Sequence, residues 1–164
     1  DKKISQSIEE LFGDLAHENG YAFFDGAGAG HFVKMVHNGI EYGMMQSIAE
    51  GFNILKKSSY SLDLNDIVRV YNNGSVIESK LIEWLGDAFE LYGENLEDVA
   101  GSVASTGEGK WTVETAKKMG LKTKIIEESL KFRKMSQNSP NYAGKILSAM
   151  RNQFGGHSIK RGKK

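Results

Sequence analysis

Lys34, His37, Asn38, Glu41 and Tyr42 have the types and the spacing to move protons from one surface. A helix repeats every 3.6 residues, so all five fall on one stripe, with Lys34 and Glu41 nearly two whole turns apart and almost in line. Such a stripe offers a possible base, a possible acid and three hydrogen-bonding groups to a single small space. The opposite stripe, Val33, Val36, Ile40 and Met44, is apolar and is expected to face a core. The same spacing also describes an amphipathic helix with a solvated Lys/Glu face, and His37 alone also fits a satisfied surface or core histidine. Spacing by itself leaves both readings open.

The elements that must hold this stripe read as helices throughout. A single proline and long segments of 3.6-residue periodicity predict an all-α, multi-helix bundle. Ser5 is expected to cap a helix that carries Ile8, Leu11, Phe12 and Leu15 inward and ends near Gly20. Tyr21 to Phe24 reads as a short extended piece, and the long helix then runs from about Gly30 to Lys56. Asp63 or Asn65 caps the next segment, with Ile67, Val68 and Val70, closed by Asn72-Asn73-Gly74. Ser75 opens a helix with Val76, Leu81, Trp84, Leu85 and Phe89 at core spacing, and Glu94 to Val99 gives one or two turns. Gly101 to Gly109 reads as a loop, with a helix starting at Trp111, itself expected in the core. Residues 123–137 form a helix carrying Ile125, Ile126, Leu130, Phe132 and Met135. The last helix, about Tyr142 to Phe154, stops at Gly155-Gly156. No strand–helix alternation recurs, so no doubly wound sheet is expected.

Composition narrows the partners. The 164 residues are about one domain's length, and 21 basic residues balance 21 acidic ones. No overall field therefore draws the chain to nucleic acid or to an anionic membrane. Only the tail Lys160 to Lys164 is basic. No cysteine means no disulfide framework and no thiolate metal site, which suits a reducing cytoplasm. No cluster of His and carboxylates has metal-ligand spacing, so no metal is expected.

Two glycine-rich stretches imitate phosphate-binding motifs and fail on detail. Gly26-Ala27-Gly28-Ala29-Gly30 before a helix resembles a dinucleotide fingerprint, but its glycines alternate singly and the helix runs on without a partner strand. Close approach to another backbone or a ligand explains them better. Gly107-Glu108-Gly109-Lys110 lacks the earlier glycine of a phosphate loop, at Ala104, and has Trp111 where a Ser or Thr should bind magnesium. This chain thus offers no cofactor-binding residues.

The string from Gly28 to Tyr42 closely resembles the active-site helix of 6-phosphogluconate dehydrogenases, and the resemblance extends from about Gly20 to His157. It includes Ser105 to Thr112, Phe132-Arg133-Lys134-Met135-Ser136 and Arg151-Asn152-Gln153-Phe154-Gly155-Gly156-His157, an ending similar to the short-chain bacterial subgroup with one helical unit. The family's common wording there is Phe-Gly-Ala-His; this chain has Gly155-Gly156, which implies a looser turn. In the family the coenzyme, NADP or NAD, sits on an N-terminal Rossmann domain that this sequence lacks, together with a substrate-binding serine and glycines. The resemblance therefore implies the substrate and dimerisation half of the enzyme. Residues 1–25 would be a remnant of the interdomain region and a helix, 26–157 the helical domain, and 158–164 a basic tail.

The family reaction oxidises the C3 hydroxyl of 6-phosphogluconate, releases carbon dioxide and protonates C1 to give ribulose 5-phosphate, in the pentose phosphate pathway. By resemblance Lys34 is the base and Glu41 the acid, with His37 and Asn38 contacting hydroxyl and carboxylate groups. A lysine base near neutral pH must move from about 10.4 toward roughly 7–8, at about 4 kcal/mol. Tyr42, Lys110, Thr112 and Arg133 match phosphate contacts, and Arg151 and His157 match a tail that reaches into the neighbouring subunit. That implies a homo-oligomer, dimer or higher, with tail exchange. Two alternatives stand beside this reading. One is a related β-hydroxyacid dehydrogenase, which shares Gly28, Gly30, Lys34 and Asn38 but acts on small acids. The other is a helical dimerisation module without chemistry of its own.

Overall fold

The computed structural model describes residues 2–104 and 107–159, with side chains from residue 8 onward. Ser105, Thr106 and the Lys160–Lys164 tail, each given a reading above, lie outside that description, and so does the side chain of Ser5, whose backbone falls inside the first helix and not at its cap. Among the described residues seven helices make up the regular structure: α1 (Lys2–Leu15), α2 (Ala29–Lys57), α3 (Leu64–Tyr71), α4 (Lys80–Tyr92), α5 (Glu108–Lys118), α6 (Lys124–Ser136) and α7 (Tyr142–Gly155). The all-α architecture expected from the periodicity is the one observed.

Local chemistry sets several boundaries. Asp63 rather than Asn65 caps α3, accepting a 2.9 Å bond from the Asp66 amide. Gly156, left-handed at φ 57°, closes α7 after its expected end. Ser79, not Ser75, caps α4 through the Ile82 amide. Val76 and Ile77 therefore precede that helix and stand exposed instead of entering its core face. The helix expected to begin at Trp111 begins three residues earlier, so Lys110 and Thr112 lie on its first turns and not in a loop.

The core is built where α2, α3, α4 and α7 meet. Met45, Phe52, Ile82, Leu85, Phe89, Leu147 and Met150 are fully enclosed, and Phe52 sits 6.0 Å from both Tyr71 and Phe89. Each such side chain contributes roughly 1.5–3 kcal/mol by leaving water. α5 and α6 lie against α2 beside this core.

Three faces turn opposite to expectation. On α1, Leu11 and Leu15 are exposed, so that helix does not carry its apolar residues inward. On α6, Ile125 and Met135 are exposed, and Ser129, Arg133 and Ser136 form the buried row. On α2, Val33, Ile40 and Met44 face outward and only Val36 is half-buried, while Asn38, Gly39, Tyr42, Met45, Gln46, Ala49 and Phe52 face inward. Periodicity finds a stripe but not which neighbour covers it. The inward edge of α2 wins because Asn38 and Tyr42 find partners and its glycine admits a neighbour. A Cβ on Gly39 would lie 2.6 Å from Thr112 Cγ2, so α5 approaches α2 as only glycine permits. Gly28 serves differently: its φ of 86° opens α2 in a left-handed turn, and a Cβ there would meet nothing within 4 Å. The left-handed turn is what requires glycine at 28, and no described residue approaches it closely.

Trp111 is 54% exposed and does not anchor the core. Its ring lies against Gly107 at the start of α5.

Candidate active site

The inner edge of α2 opens on a cleft of about 190 Å3. Lys34, Asn38, Glu41 and Tyr42 line it from α2, Glu108 from α5, and Arg151, Phe154 and His157 from the end of α7 and the turn after it. The stripe read from spacing thus meets residues some seventy to one hundred and twenty positions away in the chain. Lys34, His37 and Glu41 also border a larger cleft of about 660 Å3 on the outer side of α2, walled by Phe32, Val33, Ile40, Met44, Leu81 and Trp84. Lys34 and Glu41 stand on the rim between the two.

At the Lys34 end the contacts form a chain. Lys34 Nζ lies 3.3 Å from His37 Nδ1, and His37 Nδ1 lies 3.0 Å from Asn38 Oδ1. Asn38 Nδ2 donates to Glu108 Oε2 at 2.6 Å. Glu41 Oε2 sits 4.0 Å from His37 Nδ1, one turn on. Helical spacing brings these groups together, and α5 anchors the far end of the chain.

At the other end the charges are buried. Arg133 is 2% exposed, with its guanidinium carbon 3.6 Å from the centroid of the Tyr42 ring. Arg133 donates to the Ala104 carbonyl and approaches Met45 Sδ, and its Nε has no hydrogen-bond partner among the described residues. Burial pushes its guanidinium down to about 10, with Tyr42 and Glu41 pulling the other way and Arg151 adding to the fall. Arg151, also buried, is lowered first by burial and raised by Tyr42 and Glu41. His157 is lowered by burial, then by Arg151 and Arg133. Arg151 and His157 line the cleft, while Arg133 lies behind the Tyr42 ring and lines a neighbouring groove; guanidiniums so placed suit a multiply charged anion.

The expected site residues are not all brought together. Lys110 points away, pairing with Glu114 at 3.5 Å, and lines a neighbouring groove with Arg133 and Lys134. Thr112 is buried, and its hydroxyl donates to the Met35 carbonyl at 2.6 Å, holding α5 to α2. Arg151 and His157 lie at this chain's own cleft, and Arg151 belongs to the packed body of α7. Sequence reading missed Glu108 and Phe154. Glu108 carries one signal, an acidic residue in the first turn of a helix, which an expected start at Trp111 leaves outside that helix.

The model of the 6-phosphogluconate dehydrogenase C-terminal domain matches residues 30–145. The chain belongs to that family. It is 45% identical over 161 residues to the protein named "Putative 6-phosphogluconate dehydrogenase YqeC" of Bacillus subtilis (strain 168), covering 98% of this chain and 54% of that one. It is 38% identical over 143 residues to the NAD(+)-dependent, decarboxylating 6-phosphogluconate dehydrogenase of Haloferax volcanii, covering 87% of this chain and 48% of the relative. The chain spans about half the length of these two relatives. It is also 39% identical over 129 residues to the decarboxylating 6-phosphogluconate dehydrogenase 1 of Saccharomyces cerevisiae, covering 74% of this chain and 26% of that one. The matched region contains Lys34, Glu41 and the Arg133 segment. Among the described residues no group of His and carboxylates could hold a metal ion, and no helix is long and apolar enough to cross a membrane.

Proposed function

We propose that this chain is the substrate-binding half of an oxidoreductase that oxidatively decarboxylates 6-phosphogluconate to ribulose 5-phosphate, in the pentose phosphate pathway. The observation that carries the reading is one cleft bordered by Lys34, Glu41, Arg151, His157 and the Tyr42 ring. A phosphorylated sugar acid has matching ends. Lys34 takes the C3 hydroxyl proton and Glu41 returns a proton to C1 of the enediol, from opposite sides of a flat intermediate. His37 and Asn38 hold hydroxyl and carboxylate groups. Arg151, His157 and Tyr42 receive the phosphate, with Arg133 behind the Tyr42 ring, Lys110 reached from the adjoining groove and Thr112 holding α5 against α2.

NADP or NAD accepts the hydride in this reaction. The described residues do not fit that coenzyme: the Gly26–Gly30 run opens a helix, with no strand–turn–helix phosphate cradle beside the cleft. This chain's share of the chemistry is to handle protons and anionic groups. The buried arginines favour a phosphorylated substrate over the small acids of other β-hydroxyacid dehydrogenases.

The outward apolar face of α2 supports a homo-oligomer, dimer or higher, because a row of Phe32, Val33, Ile40 and Met44 along a cleft is costly to leave in water. Tail exchange in such an assembly concerns the segment after Gly156, since Arg151 is fixed in α7. The proposed location is the cytoplasm. Calorimetry with 6-phosphogluconate tests the substrate half-site: heat that disappears in Arg133→Ala and Arg151→Ala supports it. No heat at millimolar ligand favours a dimerisation module. Turnover by the complete enzyme of 6-phosphogluconate against 3-hydroxyisobutyrate decides the substrate class.

A further inference from the structure

Glu108 is the α5 side chain that enters the cleft, and the helical stripe gives no hint of it. Its carboxylate receives the 2.6 Å bond from Asn38 Nδ2. An ionised carboxylate offers only lone pairs, so the Asn38 edge that meets it must be the NH2 edge. The oxygen edge is thereby turned to His37 Nδ1, 3.0 Å away. An amide oxygen also offers only lone pairs, so Nδ1 has to carry the hydrogen. Donation runs in one direction, from His37 to Asn38 to Glu108.

Two consequences follow at His37. Lys34 Nζ stands 3.3 Å from the same Nδ1. Nδ1 carries one hydrogen and gives it to Asn38, so the Lys34 contact is a close approach and not a second hydrogen bond. Nε2, the other ring nitrogen, is left as an acceptor. A neutral imidazole of this tautomer takes a hydroxyl hydrogen at Nε2, whereas the opposite tautomer would offer a donor there.

We propose that Glu108 is a positioning residue that, through Asn38, fixes His37 as the Nδ1–H tautomer and so presents a hydroxyl-accepting Nε2 beside Lys34. The hydroxyl-bearing ligand rests on the function proposed above; the tautomer does not. Ring 15N chemical shifts of His37 in the full chain, assigned by their loss in His37→Gln and recorded where the ring is neutral, read the tautomer directly. The wild type is expected in the Nδ1–H form. Glu108→Gln, whose amide lets the Asn38 pair turn over together, and Glu108→Ala, which frees Asn38, are both expected to gain a substantial Nε2–H population, with unchanged helical circular dichroism. An Nε2–H wild type, or a tautomer unmoved in both variants, overturns the proposal. Failure of the complete enzyme to turn over 6-phosphogluconate would instead strike the function and leave the tautomer result standing.

Discussion

The Lys34 and Arg133 ends of the site are built on different physical terms. At the Lys34 end, three polar side chains from consecutive turns of one helix touch one another near water; His37 is 61% exposed in its side chain. At the Arg133 end, charges from α6 and α7 converge on a ring from α2, away from water. The first end takes its geometry from one helix and a single anchor on α5, and costs the fold little. The second exists only when three helices are packed, and it places charge where solvation is poorest. Proton-handling groups can stand at the margin, while a group that grips an anion gains from being dry and held still.

Variants can separate these terms, beginning with the joint between the ends. Gly39→Ala drives a methyl into Thr112, whose hydroxyl is already committed to Met35; a loss of about 2–3 kcal/mol in urea unfolding is expected. An unchanged midpoint would mean that α5 can slide. Arg133→Met comes next: it removes a buried charge with no carboxylate in contact while keeping the volume. Desolvation of the ion outweighs its contact with Tyr42, so a gain of about 1–2 kcal/mol is expected, together with loss of phosphate binding. Destabilisation would show that the dry end supports the fold.

Lys34→Gln, at the exposed end, is expected to leave unfolding free energy within about 0.5 kcal/mol while abolishing proposed turnover in the complete enzyme. The smallest effect concerns pH. His157 is held below its ordinary range by burial and by Arg151 and Arg133, so the folded chain binds fewer protons there than the unfolded chain. Stability from this source is present above about pH 6.5, the unfolded value, and is lost as pH falls below it. The melting temperature of wild type should drop more than that of His157→Gln between neutral and mildly acid pH, and parallel curves would remove His157 from the charged cluster.

The same division explains what could be read from the chain. The extent of α2, the Asp63 cap and the Gly156 stop are matters of residues a few positions apart, and their reading agrees with the structure. Lys34, Asn38 and Glu41 do border one cleft, because that placement is also local. Which stripe of α2 turns inward was misread, because Arg133, Glu108 and Thr112 decide it from far along the chain. Ile125 and Met135 looked like core by composition, yet α6 buries the row containing Arg133. Ser75 and Ser79 are chemically equivalent caps, and the choice between them rests on Val76 and Ile77 having no interior to enter.

The notch at Gly39 fixes the registration of two helices at the tolerance of a single methyl group. With Thr112 seated in it and bonded to the Met35 carbonyl, α2 and α5 behave as one stiff block. The spacing between the Glu108 carboxylate and the Lys34 amine is then inherited from backbone contact, not found anew by flexible side chains.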